Sequence, residues 1–165
     1  MAARIRSVRT GDNAPMRIRA GEAAEAAALT ELALRSKGHW EYDADFLAAC
    51  REELTMRPAE VAARRTLVAD EDGRILGFTT VDGEPPRGAL GMMFVEPDAI
   101  GRGVGRSLFT HTMDEARRLG FTHLTIDSDP NAEPFYRSMG AVRIGATPSG
   151  SVPGRELPLL EFALV

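Results

Sequence analysis

The sequence predicts an α/β fold, in which one sheet carries helices on both faces. Three observations point to this class. Strand-like and helix-like segments alternate along most of the chain. The segment 89–95 (ALGMMFV) is almost continuously apolar, which is typical of a strand buried on both faces. From Val104 onward, apolar residues recur at helical spacing, which indicates an amphipathic helix.

The N-terminal half is predicted to form a strand, two helices and a hairpin. The first helix is rich in Ala and Leu, with acidic residues early and Arg35 and Lys37 late, which suits the helix dipole. Asp43 can cap the second helix, and Pro58 sets its C-terminal limit. The turn EDG joins the two strands of the hairpin. The segments are strand 16–20, helix 21–37, helix 44–56, strand 65–70 and strand 74–81.

The C-terminal half is predicted to alternate between strands and helices. The loop GEPPRG precedes the apolar strand 89–95, and Gly120 ends the long helix that follows. The apolar face of that helix carries Val104, Leu108, Phe109, Met113, Ala116 and Leu119. The remaining segments are strand 121–127, the short helix 131–139 closed by Gly140, and a final strand pair, 141–146 and 157–165.

Length and composition limit the possible partners. We expect one domain over residues 15–165, preceded by a short disordered extension over 1–14. A net charge of −4 and the lack of a long basic run argue against nucleic acid as a partner. No apolar run reaches the roughly 18 residues that span a membrane.

The cysteine and histidine residues argue for a reducing compartment and against a metal site. A single cysteine, Cys50, forms no internal disulfide and suits a cytoplasmic location. His111 and His123 lack metal-ligand spacing, so we expect no metal.

Three glycines, Gly101, Gly103 and Gly105, stand between the apolar strand and the long helix. A strand, a glycine-rich turn and a helix N-terminus together form a place for a phosphate, because the first N–H groups of a helix have no internal partner. The stretch lacks the Lys-Ser/Thr of a P-loop and does not fit the Rossmann spacing. The spacing therefore indicates a pyrophosphate at a helix N-terminus and does not identify the ligand. An ordinary tight turn is the alternative.

In combination, two stretches resemble the GNAT superfamily of acyl-CoA N-acyltransferases. One is MMFVEPDAIGRGVGRSLFTHTMDEARRLG, with a strand, V-x-P and a glycine loop, and the other is NAEPFYRSMGA. The resemblance covers roughly residues 16–146. It implies a mixed, mostly antiparallel twisted sheet of about six or seven strands, flanked by about four helices, with a splayed central strand.

The resemblance also implies acetyl-CoA as cosubstrate and a set of residues that bind it. Backbone groups of Met93, Phe94 and Val95 would hold the pantetheine arm. The pyrophosphate would lie against Gly101, Arg102, Gly103, Val104, Gly105 and Arg106. Ile100 replaces the family's usual Arg or Gln at the head of the loop, and Asp129 replaces its common Asn. Asn131 is the nearby candidate for the lost amide contact.

The implied reaction is attack of a neutral amine on the thioester. A splayed or bulged strand at Phe94–Val95 would supply an N–H donor to the developing oxyanion, and Tyr136 would give a proton to the thiolate. Glu96 is the predicted base, acting through water. His39, Glu41 or a water chain is the alternative. The predicted acceptor-binding residues are His39, Trp40, Tyr42 and Arg155.

The sequence thus predicts an N-acetyltransferase that acts through a ternary complex on a primary amine of a small molecule or peptide. The alternative is an acyl-CoA-binding sensor without turnover. The apolar closing strand 157–165 could pair across a homodimer or lie inside the sheet.

Overall fold

The computed structural model describes Val8–Arg9 and residues 15–165, which form a sheet of eight strands in the order β1-β2-β3-β4-β5-β6-β8-β7. Apart from the two-residue β1, which pairs with β2, the predicted disordered extension lies outside the described residues. The strands are β1 (Val8–Arg9), β2 (Pro15–Ala20), β3 (Leu67–Glu71), β4 (Arg74–Glu84), β5 (Arg87–Val95), β6 (His123–Asp127), β7 (Val142–Pro148) and β8 (Glu156–Ala163).

Neighbouring strands are antiparallel except at one position. β5 and β6 pair in parallel, because the long helix between them returns the chain to the end of the sheet at which β5 begins. All the other neighbours are antiparallel. The predicted mixed, mostly antiparallel sheet is therefore confirmed.

Five α-helices cover the sheet within the described residues, and none of them is both long enough and apolar enough to span a bilayer. Two 3-10 turns, Ala23–Glu25 and Pro97–Ala99, accompany them. The helices are α1 (Ala26–Gly38), α2 (Ala44–Leu54), α3 (Pro58–Ala63), α4 (Val104–Arg118) and α5 (Glu133–Ser138).

The helix α3 was missing from the sequence prediction, which used Pro58 only as the end of α2. In the structure α2 ends earlier, at Leu54, and Pro58 is the first residue of α3. Proline suits this position, since its fixed φ is helical and the first N–H of a helix needs no partner.

The β3–β4 hairpin turns more tightly than the predicted EDG. Only Asp72 and Gly73 form the turn, with φ angles of 53° and 87°. Positive φ at both positions is typical of a type I′ turn, whose twist matches that of the paired strands. The second hairpin is also tighter than the predicted loop GEPPRG, because β4 extends to Glu84 and β5 begins at Arg87.

The helices form two layers. On one face of the sheet, called the α1 face, Leu29 and Leu32 of α1 pack with Phe78 of β4. On the other, called the α4 face, Phe109 of α4 packs with Leu124 of β6. Helices therefore lie on both faces of the sheet, as the sequence predicts.

The predicted apolar face of α4 is buried except at its end. Val104, Leu108, Phe109, Met113 and Ala116 are all buried. Leu119 is 37% exposed, because it lies just beyond the last helical residue. Gly120 then has a φ of 97°, which confirms its predicted role in ending the helix.

The predicted cap of α2 provides the first test. The Asp43 carboxylate accepts a hydrogen bond from the Phe46 N–H at 2.8 Å. Asp43→Ala is expected to lower the free energy of unfolding by about 0.5–2 kcal/mol, measured by urea denaturation, because that N–H loses its partner. Asp43→Asn retains a capping oxygen and should stay close to wild type. Equal losses in both variants would contradict the capping role.

Candidate active site

A gap in the sheet separates the later parts of β5 and β6. Their parallel pairing covers only Arg87–Ala89 and His123–Thr125, after which both strands continue without pairing. We call the opening between Leu90–Val95 and Ile126–Asp127 the β5–β6 gap. It confirms the predicted splayed central strand.

The register of β5 shows which of its peptide groups face the gap. The Glu96 N–H donates to the Leu76 carbonyl at 2.8 Å, directly after the end of the β4–β5 ladder. In an antiparallel ladder, alternate residues direct their peptide groups toward the neighbouring strand. Phe94 therefore pairs with β4, whereas the N–H and C=O groups of Met93 and Val95 face the gap.

The bulge in β5 lies at Gly91. At Phe94–Val95, where a splayed or bulged strand is predicted, pairing with β4 is regular and the strand is splayed only from β6. The register shift falls opposite Thr80 and Val81 of β4. A Cβ atom on Gly91 would lie 1.8 Å from Asp82 Oδ2 and 2.8 Å from Arg64 Nη2. Glycine at this position therefore allows the Arg64–Asp82 ion pair to lie directly over the bulged backbone.

A cleft of about 810 Å³ occupies the gap and reaches both faces of the sheet. Phe135 and Tyr136 line it on the α4 face, and Glu53 and Leu54 of α2 line it on the α1 face. Of the predicted site residues, the cleft brings together Trp40, Met93, Phe94, Val95, Gly101, Gly103, Gly105, Arg106, Asn131, Tyr136 and Arg155.

The glycine loop meets the cleft at the N-terminus of α4. Gly103 is the N-cap of this 15-residue helix, with a φ of 81°, and Gly101 has a φ of 85°. The first helical bond runs from the Ser107 N–H to the Gly103 carbonyl. The N–H groups of residues 104–106 therefore have no acceptor within the helix and suit an anion. Ile100 also lines the cleft.

Arg102 and Val104 lie outside this lining. The Arg102 guanidinium forms an ion pair with Glu71 of β3 at 2.7 Å, and Val104 is buried against Leu108. The side chains of these two predicted cofactor-binding residues hold the loop against the sheet. The Arg102 N–H already donates to the Ala99 carbonyl at 3.3 Å, so of the two only the Val104 N–H remains for a ligand.

Tyr136 is only 7% exposed and still lines the cleft. Its ring packs against Phe109 and Phe135. Burial, and to a smaller extent the charge of Asp129, raise the pKa of the Tyr136 phenol well above its ordinary value. Within the described part of the chain, no group is hydrogen-bonded to the Tyr136 hydroxyl. The Tyr136 hydroxyl is thus a neutral hydrogen-bond donor that is available to a ligand.

Glu96, the predicted base, is buried and is not part of the cleft lining. Its carboxylate accepts from Arg35 of α1, with the Nε atom 3.2 Å from both oxygens and a shorter contact from Nη2. The structure therefore places Glu96 in an ion pair that joins α1 to the end of β5.

Of the predicted acceptor-binding residues, Trp40 and Arg155 line the cleft, whereas His39 and Tyr42 lie behind the lining. Trp40 is 41% exposed and lines the cleft, whereas His39 packs against the Trp40 ring from outside the lining. Tyr42 stacks on Phe46 with ring centroids 4.0 Å apart, and Arg155 lies over the same two rings.

Asp129 joins four segments of the chain around the cleft. Its Oδ2 atom lies 2.7 Å from Lys37 Nζ and 2.8 Å from the Tyr42 hydroxyl. Its Oδ1 atom accepts from the Asn131 N–H at 2.8 Å. Arg155 donates to the Tyr42 hydroxyl at 2.9 Å. Burial opposes ionisation of Asp129, but the hydrogen bonds from Lys37, Asn131 and Tyr42 and the charge of Lys37 together lower the pKa of this carboxyl.

Sequence reasoning missed several polar residues that line the cleft. They are Glu53, Arg64, Asp82 and Asp127, together with Lys37 and Asp129, which the sequence analysis named without placing them in the site. Asp127 at the end of an alternating strand was the one available signal, because strand ends beside a sheet opening often carry functional groups.

The comparisons with known proteins agree with one another. The chain matches the family model described as an acetyltransferase (GNAT) domain over residues 30–150. It is 30% identical over 129 residues to the peptidyl-lysine N-acetyltransferase YiaC of Escherichia coli (strain K12). That alignment covers 74% of this chain and 81% of YiaC.

Two solved structures share the fold. A GCN5-related N-acetyltransferase from Rhodopseudomonas palustris superposes with a TM-score of 0.74 at 21% identity, covering 98% of this chain and 99% of that one. YncA from Salmonella typhimurium, solved with acetyl-CoA, superposes with a TM-score of 0.65 at 25% identity. The match to YncA covers 91% of this chain and 94% of that one.

Proposed function

Because the chain belongs to the GNAT acetyltransferase family, we propose that it transfers an acetyl group from acetyl-CoA to a primary amine of a small molecule or peptide. The observation that carries this proposal is the cleft in the β5–β6 gap, which is lined both by the glycine loop at the N-terminus of α4 and by Tyr136. The expected cytoplasmic location, the single domain over 15–165 and the homodimer stay predictions.

The residues present fit the cosubstrate. Free N–H groups of residues 104–106, with Arg106 at the rim, suit its pyrophosphate. The backbone groups of Met93 and Val95, which face the gap, suit the amides of a pantetheine arm. The side chain of Ile100 offers no charge, so the backbone carries this contact.

The bound thioester supplies the electrophilic carbonyl group, and the chain supplies polar groups around it. An N–H group that faces the gap, from Met93 or Val95, can donate to the carbonyl oxygen as negative charge develops there. Tyr136 can donate a proton to the departing sulfur, since its phenol stays neutral at ordinary pH. A single passage therefore holds both partners, which supports direct transfer in a ternary complex.

A thermal-shift series with acetyl-CoA, CoA and ATP tests the proposal. Ligand at about 100 times its dissociation constant adds about 2.7 kcal/mol of stability, which should raise the unfolding midpoint by about 5–10 °C. We expect this shift with acetyl-CoA and CoA but not with ATP. No shift with acetyl-CoA or with CoA up to about 1 mM would contradict the proposal. Binding without acetylation of any amine would favour the acyl-CoA sensor.

A further inference from the structure

The two ends of the cleft differ in chemistry because the cleft passes through the sheet. Leu124 and Ile126 of β6 point to the α4 face, where they pack with Tyr136. Successive strand residues alternate between faces, so Asp127 points to the α1 face. Glu53 of α2 lines the cleft from that same side. The glycine loop therefore opens on the α4 face, and two carboxylates lie at the opposite end.

The basic residues at this end are already paired. Arg64 forms two hydrogen bonds of 2.8 Å with the Asp82 carboxylate. Lys37 and Arg155 both contact Asp129. Among the described residues, neither Glu53 nor Asp127 forms a salt bridge. This end of the cleft therefore presents net negative charge to whatever enters it.

Glu53 and Asp127 share one local environment. The Ser151 hydroxyl of the β7–β8 loop donates to Glu53 Oε2, which orients this carboxylate. Burial raises the pKa of the Asp127 carboxyl, and the negative charge of Glu53 raises it further. Two like charges within interaction range, without a basic partner, are stabilised when a cation binds between them.

We infer that Glu53 and Asp127 form the acceptor end of the cleft and select an alkylammonium group that has no anionic group beside it. This inference rests on the proposed function and names the class of amine. In the reaction, Asp127 accepts one proton from the ammonium group, and the freed lone pair forms the C–N bond to the acetyl carbon. The C–S bond then breaks, the sulfur leaves with the electron pair and takes a proton from Tyr136, and the amide nitrogen loses its second proton to restore that phenol.

The experiment compares three amines by the release of the CoA thiol. They are 1,4-diaminobutane, Nα-acetyl-lysine amide and glutamate, whose amine stands beside a carboxylate. We expect kcat/KM for the two alkylamines to exceed that for glutamate at least about 100-fold, since glutamate brings two further carboxylates to an end of the cleft that already holds two. Asp127→Asn should lower kcat by about 100-fold, and Glu53→Gln should raise KM for 1,4-diaminobutane by about tenfold.

A control variant and one further measurement separate the possible failures. Glu52→Gln is the matched control, because Glu52 is the neighbouring acid on α2 and pairs with Arg57 outside the cleft. In the presence of CoA, 1,4-diaminobutane should raise the unfolding midpoint of wild type and of Glu52→Gln but not of Glu53→Gln.

Preference for glutamate, or unchanged kinetics in both Asp127→Asn and Glu53→Gln, would overturn the inference. An acetyl-CoA thermal shift without acetylation of either alkylamine would overturn it as well and leave cofactor binding intact. No shift with acetyl-CoA would instead remove the proposed function itself.

Discussion

Replacing Tyr136 by phenylalanine is expected to lower kcat by about 10²–10⁴-fold, the usual contribution of a positioned general acid. The phenol lies in the cleft, and no group of the described chain is hydrogen-bonded to its hydroxyl. The substitution therefore breaks no bond inside the protein and keeps the ring packed on Phe109 and Phe135. The midpoint of unfolding and the thermal shift with acetyl-CoA should both stay near their wild-type values, so that the loss is confined to turnover.

The pH dependence of wild-type kcat gives an independent check on the same residue. A general acid works only in its protonated form, and a raised pKa keeps the phenol protonated to higher pH. On the alkaline side, kcat should therefore begin to decline only above about pH 10, the ordinary pKa of tyrosine. A descending limb that begins between pH 8 and pH 9, absent from Tyr136→Phe, would contradict the burial effect. Turnover within about tenfold of wild type in Tyr136→Phe would contradict the acid role.

Replacing Gly105 by valine is expected to weaken acetyl-CoA binding at least about 100-fold, or about 2.7 kcal/mol. Gly105 lies in the first turn of α4 and lines the cleft. A Cβ atom there would lie 3.6 Å from Met93 Cε and from the Phe135 ring, which is ordinary contact. The two further methyl groups of valine must then enter the cleft or displace those neighbours.

Gly105→Ala is the matched control for this prediction. Its single Cβ fits the available space, and alanine is a better helix former than glycine by roughly 0.5–1 kcal/mol. The alanine variant should bind acetyl-CoA nearly as wild type does, as measured by isothermal titration calorimetry. Equal affinities for the valine and alanine variants would show that the cofactor lies elsewhere.

Local sequence patterns predicted most of the fold. The apolar face of α4, the Asp43 cap and the Gly120 stop depend on residues only a few positions apart, and the structure confirms each of them. The helix α3 was missed because a proline before an apolar segment can end one helix or begin another. The partly exposed end of β5 was also unpredictable, since Met93 and Val95 border an opening whose other side comes from β6.

For the site, sequence reasoning found the glycine loop and Tyr136 but not the partners of the charged residues. Arg102 pairs with Glu71, and Glu96 pairs with Arg35, which lies 61 residues away in the chain. Folding brings such pairs together, and no local pattern marks them. The same reason hides Glu53 and Asp127, which lie on separate elements and meet only across the gap.

The gap between β5 and β6 also has a kinetic consequence, because it opens on both faces of the sheet. Acetyl-CoA and the amine that enter through opposite openings of the cleft need not displace each other. Each product can then leave through the opening by which its substrate entered. CoA should then inhibit competitively against acetyl-CoA but not against the amine. The acetylated amine should show the mirror-image pattern.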